Sequence, residues 1–150
     1  MNQTYPIKDL SKVKQVVQYY PEDSRNRLLI TFLIQVGLRV SDTLSIKLND
    51  FTTINGNTYL KMTESKTGKV STIKINNTLN QMIQDYIEEN DLSDNEYLFS
   101  STKYQGEPLS RYQAHRIISK AGESIDENLS AHSLRKTFGY HHYQQYKDIA

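Results

Sequence analysis

No cysteine occurs in these 150 residues, so disulfides and thiolate metal sites are excluded, with a slight lean toward a cytoplasmic protein. No hydrophobic run reaches membrane-spanning length either. The most apolar stretch, Leu28 to Leu38, is interrupted by Thr31, Gln35 and Gly37 and fits a core helix, so no membrane partner is expected. The opening Met1-Asn2-Gln3-Thr4 lacks the charged start and apolar stretch of a signal peptide. Net charge is also small. Eighteen Lys and Arg against seventeen Asp and Glu leave +1, which taken alone argues against nucleic acid.

The charge is unevenly spread. Residues 1–75 carry eleven basic against six acidic residues, and residues 76–150 carry seven against eleven. Six of the acids (Asp85, Glu88, Glu89, Asp91, Asp94, Glu96) crowd into one stretch that contains no basic residue. Without that stretch the chain carries +7. A basic face with a segregated acidic edge is compatible with DNA binding, although many solvated surfaces share it. At 37% hydrophobic residues the length suits a single domain with one core.

The residue pattern orders the elements. Asp9-Leu10-Ser11 starts a helix carrying Val13, Val16 and Val17 and ending near Tyr20-Pro21. Asp23-Ser24 caps a second, with Leu28, Leu29, Phe32, Leu33 and Val36 buried and Gly37 in the left-handed stop position. Ser41 caps a short third helix with Leu44, Ile46 and Leu48 inward. From Asp50 the residues turn β-branched and aromatic, punctuated by Asn55-Gly56-Asn57 and Lys66-Thr67-Gly68-Lys69. Three antiparallel strands are expected at about 50–54, 58–64 and 69–75. A helix over about 78–90 follows, with Leu79, Met82, Ile83, Tyr86 and Ile87 inward and the acids beginning on its outer side. Then come a loop with Tyr97-Leu98-Phe99, a helix capped by Ser110 and stopped by Gly122, and a last helix capped by Ser130. The fold class is α+β, a mostly helical domain with a three-stranded antiparallel sheet.

Four residues sit in contexts that invite chemistry. Gly37-Leu38-Arg39-Val40-Ser41-Asp42 puts a guanidinium at a helix–helix corner, where an ordinary surface arginine is about equally plausible. Ser65-Lys66-Thr67-Gly68-Lys69 puts an ammonium at a hairpin tip, where lysine is common. It is similar to part of a nucleotide-binding loop, but the upstream glycine is missing and the element lies between strands. His132-Ser133-Leu134-Arg135 places an imidazole and a guanidinium one turn apart at a helix start, where the positive helix end also favours an anion. Alone, the tetrapeptide is a capping-turn histidine with an exposed arginine. His141 and His142 diverge on a helix with no further group to complete a metal site, so they read as solvated.

Together, Arg39, Lys66, His132 and Arg135 resemble the catalytic constellation of the tyrosine recombinase (phage integrase) family, and the order of elements is that of its catalytic domain. The resemblance implies that Arg39 and Arg135 grip the phosphate, His132 transfers a proton and Lys66 protonates the departing 5′ oxygen. Asp42 stands where the family more often has glutamate, a support residue. Lys69, Arg111, Arg116 and Lys136 are implied as DNA contacts. Partners would be double-stranded DNA and, in the full-length protein, a homo-oligomer on DNA, with no metal or other cofactor. The expected geometry is a pocket surrounded by Arg39, His132 and Arg135, with Lys66 on a mobile hairpin nearby.

Only fifteen residues follow Arg135. The family's later His/Trp position and nucleophilic tyrosine have no counterpart, and Tyr140, Tyr143 and Tyr146 follow Arg135 too closely to serve. The resemblance therefore implies a C-terminally truncated catalytic domain over residues 1–150, also without the N-terminal DNA-clamping domain. A type IB topoisomerase-like fragment is an alternative within the same chemistry. A non-enzymatic helix-turn-helix module, read from Leu28 to Leu48, is an alternative outside it, and a purely structural domain is a third.

Overall fold

Short oxygen-bearing side chains start the helices. In the computed structural model, which describes residues 3–149 with side chains through residue 144, Asp9 caps α1 (Leu10–Val17) by accepting the Ser11 backbone N–H. Ser24 caps α2 (Arg25–Val36) by accepting that of Arg27. The Ser11 hydroxyl, then its N–H, hold the Asp9 carboxyl below the ordinary carboxylate value. This cap is therefore intact at neutral pH and is lost as pH falls through the lowered value. The residues fall into two compact units, Met1–Val40 with Arg111–Ala150, and Ser41–Ser110.

In the first unit α1 ends at Val17, earlier than the expected stop near Tyr20. Gln18 closes it as the C-cap, its N–H bonded to the Lys14 carbonyl, and the Tyr20 hydroxyl donates to the Ile117 carbonyl at 2.7 Å. Burial, then the neighbouring Tyr19 and Glu123, push the Tyr20 phenol upward in pKa, with Arg25 opposing. The middle of α2 is buried on all sides from Leu28 to Leu33, whereas Val36, expected in the core, is half-buried. Gly37 ends α2 at φ +75°, and its N–H returns to the Leu33 carbonyl. A Cβ there would lie 2.2 Å from the Phe138 ring, so the same glycine also admits α6 (Ala131–Ile149) against α2.

The expected stop of α5 (Arg111–Gly122) at Gly122 takes a different form. Gly122 keeps right-handed helical angles, a 3-10 turn continues over Glu123–Ile125, and the left-handed residue is Asp126. Gly122 is needed for space: a Cβ would come within 2.4 Å of the Glu127 carbonyl oxygen. α6 opens with a reciprocal cap, Ser133 N–H to Ser130 Oγ at 3.2 Å and Ser130 N–H to Ser133 Oγ at 3.1 Å.

In the second unit Ser41 lies inside α3 (Val40–Leu44) rather than capping it. Leu44, Ile46 and Leu48 are all buried, but only Leu44 is in that helix; Leu48 opens a 3-10 turn over Leu48–Asp50. A five-residue α3 after a buried α2 cannot be the recognition helix of a helix-turn-helix module. The sheet has order β1-β2-β3, from β1 (Phe51–Ile54), β2 (Asn57–Thr63) and β3 (Val70–Ile75), antiparallel throughout. Asn55 and Gly56, both at positive φ, make the two-residue turn between β1 and β2. Thr58, Leu60, Met62 and Ile75 face the core, and α4 (Asn77–Glu89), capped by Asn76, packs on β2 through this side of the unit. Leu79 and Ile83 are its buried residues, with Met82, Tyr86 and Ile87 half-buried. All six clustered acids are exposed. Among the described residues no helix is long and apolar enough to cross a membrane.

Gly37→Ala tests the tightest junction. Forcing an alanine into left-handed backbone costs about 1–2 kcal/mol, and displacing the Phe138 ring should add about 1–3 kcal/mol. Thermal unfolding should show a midpoint lower by several degrees; a midpoint within one degree of wild type would mean that α2 and α6 are not locked there.

Candidate functional site

Arg39, His132 and Arg135 belong to the first unit, and Lys66 and Asp42 to the second. In the first, the C-terminus of α2 and the N-terminus of α6 are joined by a side chain from the predicted site. Arg135 Nε donates to the Gly37 carbonyl at 3.0 Å. Gly37 carries its carbonyl two residues before Arg39, which is half-buried just ahead of α3. The bond engages Nε alone, and the two Nη groups carry four further N–H donors suited to phosphate oxygens. Arg135 and His132 are both exposed, in the first turns of α6, where the helix end adds positive potential.

α6 is itself fixed from its other side, by contacts invisible in the sequence. Thr137, fully buried, donates its hydroxyl to the Ser133 carbonyl and accepts the Ile7 N–H at 2.9 Å. His141 Nε2 lies 2.8 Å from the Ile7 carbonyl, and Lys136 Nζ donates to the Thr4 carbonyl at 2.8 Å. Of the two histidines expected to be solvated, His141 is instead engaged on this strap, whereas His142 is exposed, with its ring stacked on that of Phe138 at 5.3 Å. Tyr140 lies edge-on to His141, with the Lys8 ammonium 5.6 Å from its ring centroid. Tyr143 is exposed, and the Tyr146 side chain lies outside the described residues.

In the second unit Lys66 is exposed at the tip of the β2–β3 hairpin. The tip closes on itself: Glu64 N–H to Lys69 carbonyl and Gly68 N–H to Glu64 carbonyl, both 2.8 Å, with Gly68 at φ +70°. Its base is tied to α3. Asp42, only 3% exposed, accepts both the Ser65 N–H (3.1 Å) and the Ser65 hydroxyl (2.9 Å) through Oδ1. Sequence reasoning singled out Asp42 but missed Ser65, whose only signal was its place directly before Lys66. A buried carboxylate requires donors, and a serine next to a turn can offer two from one residue. Of the other candidates, Lys69, Arg111, Arg116 and Lys136 are all exposed, with the Arg116 guanidinium 6.0 Å from the Tyr112 ring centroid.

Asp42→Ala should remove both bonds to Ser65 and cost about 1.5–3 kcal/mol, the range for hydrogen bonds to a charged group. Ser65→Ala keeps the backbone bond and should cost about 1 kcal/mol or less. Amide exchange at residues 64–69 should accelerate strongly in Asp42→Ala and only slightly in Ser65→Ala; equal protection in all three proteins would show that the carboxylate does not hold the hairpin.

The family model described as phage integrase matches residues 7–150. Along its whole length the chain is 41% identical to a probable integrase/recombinase, YoeC, of Bacillus subtilis (strain 168), and covers 81% of that protein. It is 31% identical over 140 residues to tyrosine recombinase XerA of Pyrococcus furiosus, a stretch that is 92% of this chain and 48% of that one. Among solved structures, the XerH site-specific recombinase bound to difH substrate in a pre-cleavage complex matches with a TM-score of 0.68 at 25% identity, over 97% of this chain and 44% of that one. The chain thus spans most of the Bacillus relative and about half of the others. Matched by the family model over nearly its whole length, and by a relative along all of it, the chain belongs to the phage integrase family of tyrosine recombinases.

Proposed function

We propose that this chain is part of a site-specific DNA recombinase or integrase that breaks and rejoins double-stranded DNA through a 3′-phosphotyrosyl intermediate. The observation that carries this is the Arg135 Nε bond to the Gly37 carbonyl, which ties the second arginine of the family pattern to the turn leading into the first. Two guanidiniums, Arg39 and Arg135, would neutralise the non-bridging oxygens as negative charge builds on the phosphorane-like transition state. His132 would move a proton at the same centre, and Lys66 would protonate the departing 5′ oxygen. Asp42 would act through Ser65 by holding the base of the hairpin that presents Lys66. Lys69, Arg111, Arg116 and Lys136 would contact the DNA backbone, Lys136 while also bonded to the Thr4 carbonyl. The step needs neither metal nor nucleotide, because charge stabilisation and proton transfer come from side chains. Exchange between two duplexes requires more than one such set of residues, so the working recombinase would be a homo-oligomer on DNA.

Attack needs a tyrosine hydroxyl in line with the leaving oxygen. Tyr140 and Tyr143 lie five and eight residues beyond Arg135 on the same helix, about 7.5 and 12 Å along its axis. We therefore assign them to packing and contact, and residues 1–150 should form no covalent adduct with a nicked suicide substrate. An adduct mapped to Tyr140, Tyr143 or Tyr146 would overturn the site assignment. Duplex DNA should nonetheless be bound weakly, with little sequence preference and steep loss on adding salt. Arg39→Ala and Arg135→Ala should each weaken that binding, and tight, salt-insensitive binding would refute the proposal.

A further inference from the structure

The two faces of the sheet differ in chemistry. The pairs Leu60↔Ile73, Thr58↔Ile75 and Met62↔Ser71 lie on the core side. The alternate pairs Tyr59↔Lys74, Lys61↔Thr72 and Thr63↔Val70 stand on the other side, where all but the half-buried Tyr59 are exposed. Neither these six nor their β1 neighbours Thr52 and Ile54 on that side include a carboxylate. The nearest acid on the hairpin, Glu64, instead accepts the hydroxyls of Thr67 and Ser71, the latter on the core side.

Lys61 and Lys74 are left unused by the proposed function, which calls on no residue of β1, β2 or β3 and, between the strands, only on the β2–β3 tip. They are diagonal neighbours across β2 and β3, since Lys61 pairs with Thr72, two residues from Lys74. Diagonal side chains stand about 7–8 Å apart, and like charges so placed repel. A lysine guarding an exposed sheet edge would explain Lys74 on the edge strand β3, but not Lys61 on the central strand β2. From the Tyr59↔Lys74 pair to Lys61↔Thr72, and on to Thr63↔Val70 beneath the tip, each step is about 7 Å along the strands. One DNA strand carries a phosphate about every 3.4 Å of axis, so two lysines about 7–8 Å apart can each take a separate phosphate. Exposed Thr63 and Thr72 add hydroxyl donors for phosphate oxygens.

We infer that the outer face of the β1-β2-β3 sheet is a further docking surface for the DNA backbone, with Lys61 and Lys74 each taking a phosphate beyond those gripped at the hairpin tip. The inference rests on the proposed binding of duplex DNA. It is tested by measuring equilibrium binding of the 150-residue chain to a duplex across a salt series. In Lys61→Gln/Lys74→Gln the slope of log affinity against log salt should become shallower by about two, roughly one for each phosphate that a lysine no longer neutralises. Lys61→Arg/Lys74→Arg should keep the wild-type slope. Lys103→Gln/Lys120→Gln, with the same change of charge at exposed positions elsewhere, should leave it nearly unaltered. Far-UV circular dichroism checks that the sheet is retained in each variant. A wild-type slope in Lys61→Gln/Lys74→Gln would overturn the inference alone and leave an acidic protein surface as the face's partner. An equally shallow slope in the Lys103/Lys120 pair would overturn it as a general charge effect. Failure of the wild-type chain to bind DNA at any salt would overturn the functional proposal, and this inference with it.

Discussion

The first unit turns on one residue without a side chain. Gly37 meets three demands at once: a left-handed backbone that ends α2, room for the Phe138 ring, and a carbonyl that receives Arg135 Nε. Any Cβ would strain the first and collide with the second, and a shift of the turn would break the third. The turn that directs the chain toward Arg39 is thus the surface on which α6 is seated. One steric constraint therefore governs where the backbone carrying Arg39 and the side chain of Arg135 can be.

α6 is clamped along its length as well as at its start. The chain before α1 uses its own Ile7 N–H and carbonyl as partners for Thr137 and His141, in the way a neighbouring strand would use them. Pairing both groups of one backbone residue satisfies polar atoms that burial would otherwise penalise. In the second unit the equivalent device is the Asp42 carboxylate, nearly removed from solvent and bonded twice to Ser65. In each unit, side-chain groups tied to backbone hold the segment that carries a candidate catalytic residue, which is what preorganised charge stabilisation requires.

Much of this architecture was legible because it is local. Caps at Asp9, Ser24 and Ser130, the Asn55-Gly56 turn and the period-two alternation of β2 all follow from interactions within a few residues. Strand limits differ from expectation by one residue at most. The expectations that differ fail where a distant partner decides. The Tyr20 hydroxyl reaches Ile117 and His141, read as solvated, finds Ile7, whereas Gly122 is required by the Glu127 carbonyl five residues on rather than by its own φ. Ser41 looked like a cap only because the start of α3 was placed two residues late.

By itself the sequence determined the element order, the fold class, the family and which side chains are candidates for chemistry. Each of these rests on spacing along the chain, which sets periodicity, capping and motif. Only the tertiary structure decided that Arg135 reaches the Gly37 carbonyl, that Ser65 is the partner of Asp42, and that Thr137 and His141 bind the segment before α1. Those bonds join residues from 23 to 134 positions apart. A hydrogen bond depends on separation and angle in space, and no local pattern encodes which of many exposed carbonyls or hydroxyls a folded chain will bring within 3 Å.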